Sequence, residues 1–288
     1  MTIPDLVVAS CPAGRSGPSG LAGPSATWTR RSFLVVGGGL ALGAAGLGLG
    51  EADAAGLPSR RTVVRELGDR RPKHFGMFLR HTVTRGHRRI ALTFDACGGP
   101  RGSGYDEALV ETLRRHAVPA TLFLNARWIT TNPTVAAELA ADPLFELGTH
   151  GVQHRPLTVR GQSAYGIAGT RSVGEAYDEV RGGIDALAEL TGHRPRWFRA
   201  GTAWVDDVGV EVARRLHVRI ASFSINADLG ATASTKVVAR NLGKARSRSI
   251  TIAHTNHPEG RTAEGLAKAL PRLLDDGRRF ATLSDALS

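Results

Sequence analysis

From Arg88 onward, short apolar runs alternate with longer stretches whose apolar residues recur every three or four positions. The short runs at 90–94, 120–124, 145–148, 196–199, 219–225, 250–254 and 280–283 predict strands, being brief, rich in β-branched and aromatic residues, and set off by polar or glycine-bearing segments. The longer stretches at 106–116, 173–191, 208–217, 235–245 and 262–276 predict helices, and a shorter one near 134–141 follows Asn132-Pro133. Gly192 and Gly277 stand where helix-ending glycines belong. Strands separated by single helices make βα units, so the strands should be parallel. About seven of them are too few for a regular eightfold barrel. The pattern therefore predicts an α/β fold, a distorted or incomplete (β/α) barrel with about seven parallel strands, with an open doubly wound sheet as the alternative.

The chain of 288 residues divides on this reading into a leader, 1–54, an extension, 55–87, and a catalytic domain, 88–288. Within the leader, Thr29-Arg30-Arg31-Ser32-Phe33-Leu34 precedes a Gly/Ala/Leu run over 35–50, and Ala52-Asp53-Ala54 offers a small-residue cleavage site. Paired arginines before a mildly apolar stretch describe a twin-arginine export signal. The run is shorter than the roughly 20 residues of a membrane span, which disfavours an anchor. The expected partner in transit is the twin-arginine export machinery, and the expected destination is the periplasm, the cell wall or the medium. Residues 55–87 are basic and weakly periodic, and are expected to wrap the domain.

Only Cys11 and Cys97 occur, and Cys11 lies in the leader, so no disulfide is expected in the mature domain. Charges in the leader cancel, which leaves the whole formal +11 on the rest of the chain. Outside a cell that charge favours anionic polymers. Nucleic acid is not expected as a partner, because the basic residues are scattered and lack interleaved aromatics.

Chemically capable side chains fall at the predicted carboxyl ends of strands, where parallel α/β folds build their active sites. Asp95 closes the first strand, His150 and His154 follow the third, Arg199 follows the fourth, Asp228 the fifth, and His254 closes the sixth. Histidines four apart on a helical turn share a face and can chelate zinc or a similar ion. A carboxylate at Asp95 can take a proton from water activated by that ion, and Arg199 can steady it through a charge-assisted pair. His254 can protonate a departing amine, with Asp228 orienting it and raising its pKa.

The succession Thr93-Phe94-Asp95, His150-x-x-x-His154, Phe198-Arg199, Asp228 and a late apolar strand ending in His254 resembles the polysaccharide deacetylase family, the carbohydrate esterases of family 4 with the NodB homology domain. The likeness runs from about Arg89 to Leu287. It implies metal-dependent hydrolysis of N-acetyl, or O-acetyl, groups on a polysaccharide. Asp95 would be the base, His150 and His154 the metal ligands, His254 the acid tuned by Asp228, and Arg199 the partner of Asp95. The family's second aspartate, a third metal ligand, is Ala96 here, so the third ligand is open between Cys97, Asp106 and His257. The prolines that usually follow the motif arginine are Ala200-Gly201, followed by Thr202-Ala203-Trp204. Thr202 and Trp204 are candidates for substrate contact. Two rival readings remain, a non-catalytic carbohydrate-binding domain and a hydrolase of small non-peptide amides.

Overall fold

The computed structural model describes residues 56–77 and 88–287. The expected leader, 1–54, and the twin-arginine signal expected within it lie outside the described residues. In chain order the strands are β1 (Phe75–Gly76), β2 (Arg89–Ala96), β3 (Ala120–Leu124), β4 (Phe145–Thr149), β5 (Trp197–Phe198), β6 (Val205–Asp206), β7 (Arg219–Ile220), β8 (Ile225–Asn226), β9 (Ile250–His254) and β10 (Arg279–Ala281). The helices are α1 (Arg60–Leu67), α2 (Glu107–Arg115), α3 (Ala126–Thr131), α4 (Pro133–Ala141), α5 (Val173–Thr191), α6 (Asp207–Arg215), α7 (Thr235–Gly243), α8 (Thr262–Asp275) and α9 (Leu283–Leu287).

Seven strands run in the order β7-β5-β4-β3-β2-β9-β8, and β10 adds to the first half of β2. Every pairing in this sheet is parallel. The fold is the distorted (β/α) barrel that the strand–helix alternation predicts. Successive β2 residues pack against different layers. Leu92 and Phe94 join the core beneath the helices, whereas Ala91 joins the interior cluster with Phe123, Trp197 and Ile252. Burial on both faces explains why β2 reads as a near-continuous apolar run.

The barrel opens inside a segment that reads as one strand. Residues 219–225 form β7 on one edge of the sheet and β8 on the other, and Ala221 to Ser224 cross between them. The Ala221 N–H donates to Phe198 of β5, and the Ser224 N–H to Ile250 of β9. The expected single strand is thus two. The last predicted strand also ends early: Leu283 begins α9, and its N–H donates 2.9 Å to the Thr121 hydroxyl.

Helix α5 matches its predicted bounds because both ends carry explicit signals. Ser172 caps its first turn by accepting from the Glu175 N–H, and Gly192 closes it at φ 76°. Helix α1 has no such legibility, being arginine-rich with few apolar positions. Tertiary burial creates it: Val63 and Leu67 are fully buried in the cluster that contains Val180 and Ile184 of α5 and Val212 of α6. Arg60 pairs with Asp178, and the Tyr177 hydroxyl donates to the Pro58 carbonyl. The described part of the extension, closed by β1 pairing antiparallel with β6, is an integral part of this core.

Candidate active site

Parallel register sets the candidate base and the candidate acid side by side. Asp95 of β2 lies opposite His254 of β9, and on its other side opposite Phe123 of β3. Neighbouring strands are about 4.8 Å apart, so the two side chains share one end of the barrel. Asp95 is buried, and its Oδ1 accepts from Arg199 Nη1 at 2.7 Å. Arg199 is itself fully buried, and lies over the Phe123 ring at 4.2 Å. Its Nε and Nη2 reach the carbonyls of Ala221 and Ser222 at 3.4 and 3.3 Å. Those carbonyls belong to the segment that bridges the barrel opening, so one guanidinium neutralises Asp95 and ties the opening shut. Burial, the largest single influence, raises the Asp95 pKa, but Arg199, through its charge and hydrogen bond, acts together with His150 and His254 to outweigh it and hold the carboxyl below its usual range. Asp95 is therefore an ionised carboxylate.

His254 Nδ1 lies 3.0 Å from Asp228 Oδ1, and the His254 N–H donates 2.7 Å to Oδ2. The Thr262 hydroxyl, at the start of α8, donates to the same oxygen at 3.0 Å. Fully buried Asp228 thus fixes both the backbone and the ring of His254.

His150 and His154 do come together, with ring centroids 4.8 Å apart and nearly perpendicular, but no helical turn joins them. The expected helical face is replaced by an irregular loop in which His154 takes φ 58° and Gly151 φ 72°. That loop is held by Glu179, a residue of α5 to which the motif pattern does not point. Its carboxylate accepts from the N–H groups of Val152, Gln153 and Arg155 at 3.2, 2.9 and 3.4 Å. A Cβ on Gly151 would sit 2.5 Å from Glu179 Oε1, so glycine is required there on grounds of both space and φ. The available signal was a glutamate on the buried stripe of α5, flanked by Ala176, Val180 and Gly183.

Cys97 Sγ lies 3.8 Å from His150 Nε2, and the ligand atoms of Cys97, His150 and His154 all fall within 4.8 Å of one another. All three residues are buried. A tetrahedral zinc with its usual bond lengths separates S and N ligands by about 3.5 Å, so this donor set fits a divalent ion of the zinc class after small adjustments. His150 Nδ1 lies 2.7 Å from the Arg199 carbonyl, an obligate acceptor, so Nδ1 carries the proton and Nε2 presents its lone pair toward Cys97. Burial lowers the His150 pKa, which keeps the ring neutral as a ligand must be. Asp95 Oδ2 is 3.7 Å from that same Nε2, so the carboxylate and the donor set share one buried pocket end.

The other third-ligand candidates stand apart from this cluster. Asp106 caps α2 by accepting from the Leu109 N–H at 3.1 Å, and burial raises its pKa. His257 Nδ1 is 2.7 Å from Glu259 Oε1. Among the described residues, Cys97 alone joins the two histidines. Ala96, where the family has its aspartate, packs into the apolar layer beneath the helices. Thr202 adopts φ 69° just beyond Gly201, whose position against the His154 carbonyl leaves no room for a Cβ. Trp204 is half-buried, with its ring 5.0 Å from Phe75 and its Nε1 donating 3.2 Å to the Tyr165 hydroxyl. With Phe75 and Tyr165 it forms an aromatic cluster.

Residues 82–221 match the family described as polysaccharide deacetylase. The chain carries a polysaccharide deacetylase domain. Among curated proteins it is 27% identical over 201 residues to the peptidoglycan-N-acetylglucosamine deacetylase PgdA of Listeria monocytogenes, an alignment covering 69% of this chain and 39% of that protein. It is 22% identical over 187 residues to the uncharacterised protein YlxY of Bacillus subtilis, covering 65% of this chain and 54% of that one. The domain thus spans between two fifths and about half of these relatives. Its fold resembles the solved structure of BA3943, a CE4-family pseudoenzyme of Bacillus anthracis, with a TM-score of 0.60 at 21% identity, covering 71% of this chain and 67% of that one. It also resembles the peptidoglycan N-acetylglucosamine deacetylase Bc1960, with a TM-score of 0.59 at 22% identity, covering 72% and 91% of the two chains.

Proposed function

We propose that this protein is a metal-dependent deacetylase that hydrolyses the N-acetyl groups of a cell-wall or extracellular polysaccharide after export by the twin-arginine route. The observation that carries this reading is the meeting of Asp95, already charged and paired with Arg199, with a buried Cys97–His150–His154 donor set. Relatives named peptidoglycan-N-acetylglucosamine deacetylases in Listeria monocytogenes and Bacillus cereus support N-acetylglucosamine as the acetylated sugar.

In this reading Cys97, His150 and His154 hold a divalent ion, with Cys97 standing in for the carboxylate absent at Ala96. When bound, that ion supplies Lewis acidity toward the acetyl carbonyl and lowers the pKa of water. Asp95 accepts the proton of the attacking water. Arg199 keeps Asp95 ionised and aimed, and its carbonyl orients His150. His254 gives a proton to the departing sugar amine, its ring held by Asp228. Glu179 holds the loop that carries the two histidines. Trp204 and Thr202 line the approach of the sugar.

Acetate release from N-acetylglucosamine oligomers and from peptidoglycan tests the reading. The full chain should release acetate, a chelator should stop the release, and Asp95→Asn should lower it at least ~100-fold. Glycan binding without acetate release would instead leave a carbohydrate-binding domain, the reading that the replacement at Ala96 keeps alive. Release from small acetylated amines alone would point to a small-amide hydrolase.

A further inference from the structure

On the outer wall of the barrel, α7 and α8 enclose a groove of about 740 Å³ whose lining contains five cations and one carboxylate. Lys236, Arg240 and Lys244 form one wall at i, i+4 and i+8 along α7 and its cap, and Lys268 and Arg272 form the other along α8. All five are exposed, and so is Asp276, the lone acid. The floor is small: Ala239, Gly243 and Ala269 lie between the two rows, and beyond Gly243 there is open space.

Helix stability does not account for these charges. Like charges at i and i+4 oppose helix formation, and Lys236/Arg240, Arg240/Lys244 and Lys268/Arg272 are three such pairs. The negative end of the dipole favours Arg240 and Lys244 at the close of α7, but Lys236 stands in its first turn, the positive end. Glu264 lies near Lys268 but is already engaged by the Thr235 hydroxyl and Arg261. A concave cationic channel of this kind stabilises, and is stabilised by, a chain of anions.

The lining also narrows what that chain can be. It has no aromatic residue on which a base could stack, which argues against single-stranded nucleic acid. Its largest apolar residue, Leu273, is buried, which leaves nothing to insert into a bilayer. We infer that the α7–α8 groove binds a linear polyanion built on a sugar or polyol backbone, with phosphodiester or carboxylate charges. The groove is separate from the deacetylase site and its existence does not rest on that assignment.

The test is binding of fluorescein-labelled poly(glycerol phosphate) and of labelled polygalacturonate to the full chain, followed by anisotropy. If the five cations all engage, affinity should fall roughly a hundredfold between about 50 and 200 mM salt, given a slope of ~0.7 per contact. The triple variant Lys236→Glu/Arg240→Glu/Lys268→Glu should bind more than tenfold more weakly. A control with the same change in net charge, Arg61→Glu/Arg65→Glu/Arg115→Glu, should change affinity less than threefold. Circular dichroism checks that both variants keep the wild-type fold. Preference for the phosphodiester or the carboxylate polymer identifies the source of the charges. The inference is overturned if both variants lose affinity equally, if neither polymer binds, or if an oligothymidylate or anionic-lipid vesicles bind more tightly than both.

Discussion

Replacing Arg199 with methionine keeps much of the side chain's volume and removes its charge. In the folded protein Arg199 and Asp95 are both almost wholly inaccessible, with side-chain exposures of 0% and 4%, and they meet at 2.7 Å. Arg199→Met strands a carboxylate in that interior and frees the carbonyls of Ala221 and Ser222 that tie the barrel opening. Breaking a buried pair from one side costs about 3–5 kcal/mol. For a domain of this size each kcal/mol moves Tm by about 2–4 °C, so the variant should melt roughly 6–20 °C lower. The double variant Asp95→Asn/Arg199→Met removes both charges and should recover a large part of the loss, because a mutually removed pair leaves no lone charge behind. The assay is urea unfolding of the wild type, both single variants and the double variant. The sign of pH dependence follows from the lowered Asp95 pKa: the pair's contribution is present above the unfolded-state carboxylate pKa and is lost as pH falls through the folded one. A loss under about 1 kcal/mol in Arg199→Met, or additive losses in the double variant, would refute the argument.

Other outcomes follow from the same geometry. Glu179→Ala leaves the N–H groups of Val152, Gln153 and Arg155 without their shared acceptor, and metal affinity measured by competition with a chromophoric chelator should fall about 10–100-fold. Gly151→Ala should mimic it, since the new Cβ meets Glu179 at 2.5 Å. Asp228→Asn should lower kcat for acetate release by about 10²–10⁴ while metal content stays stoichiometric, because Asp228 contacts His254 and not the donor set.

Elements with complete local signals were legible in the sequence. Helix α5 has a serine cap, an apolar stripe and a terminal glycine, and β2 is a buried run with a carboxylate one residue before its end. The position of site residues at strand ends was legible too, since Asp95, His150, Arg199 and His254 all sit at or just beyond strand termini. Features that depend on tertiary closure were not. The crossing at Ala221 to Ser224 contains neither glycine nor proline, so nothing local distinguishes it from a continuous strand. The conformation of the His150–His154 loop is imposed by a carboxylate 25 residues beyond its last histidine, Glu179, which spacing rules for helices cannot see. Cys97 could be named as one of three candidates, but choosing it over Asp106 required knowing that the Cys97 sulfur lies within 4.8 Å of both imidazoles, whereas Asp106 stands outside that cluster at the cap of α2.

In the proposed site the Cys97 thiolate would join His150 and His154 in holding a divalent ion. Cobalt substitution followed by near-ultraviolet absorption tests it most directly, because a thiolate on cobalt produces a charge-transfer band that imidazole and carboxylate ligands do not. The wild type should show the band with one cobalt per chain, and Cys97→Ser should lose it. A wild-type spectrum without the band, or one unchanged by the substitution, would contradict it.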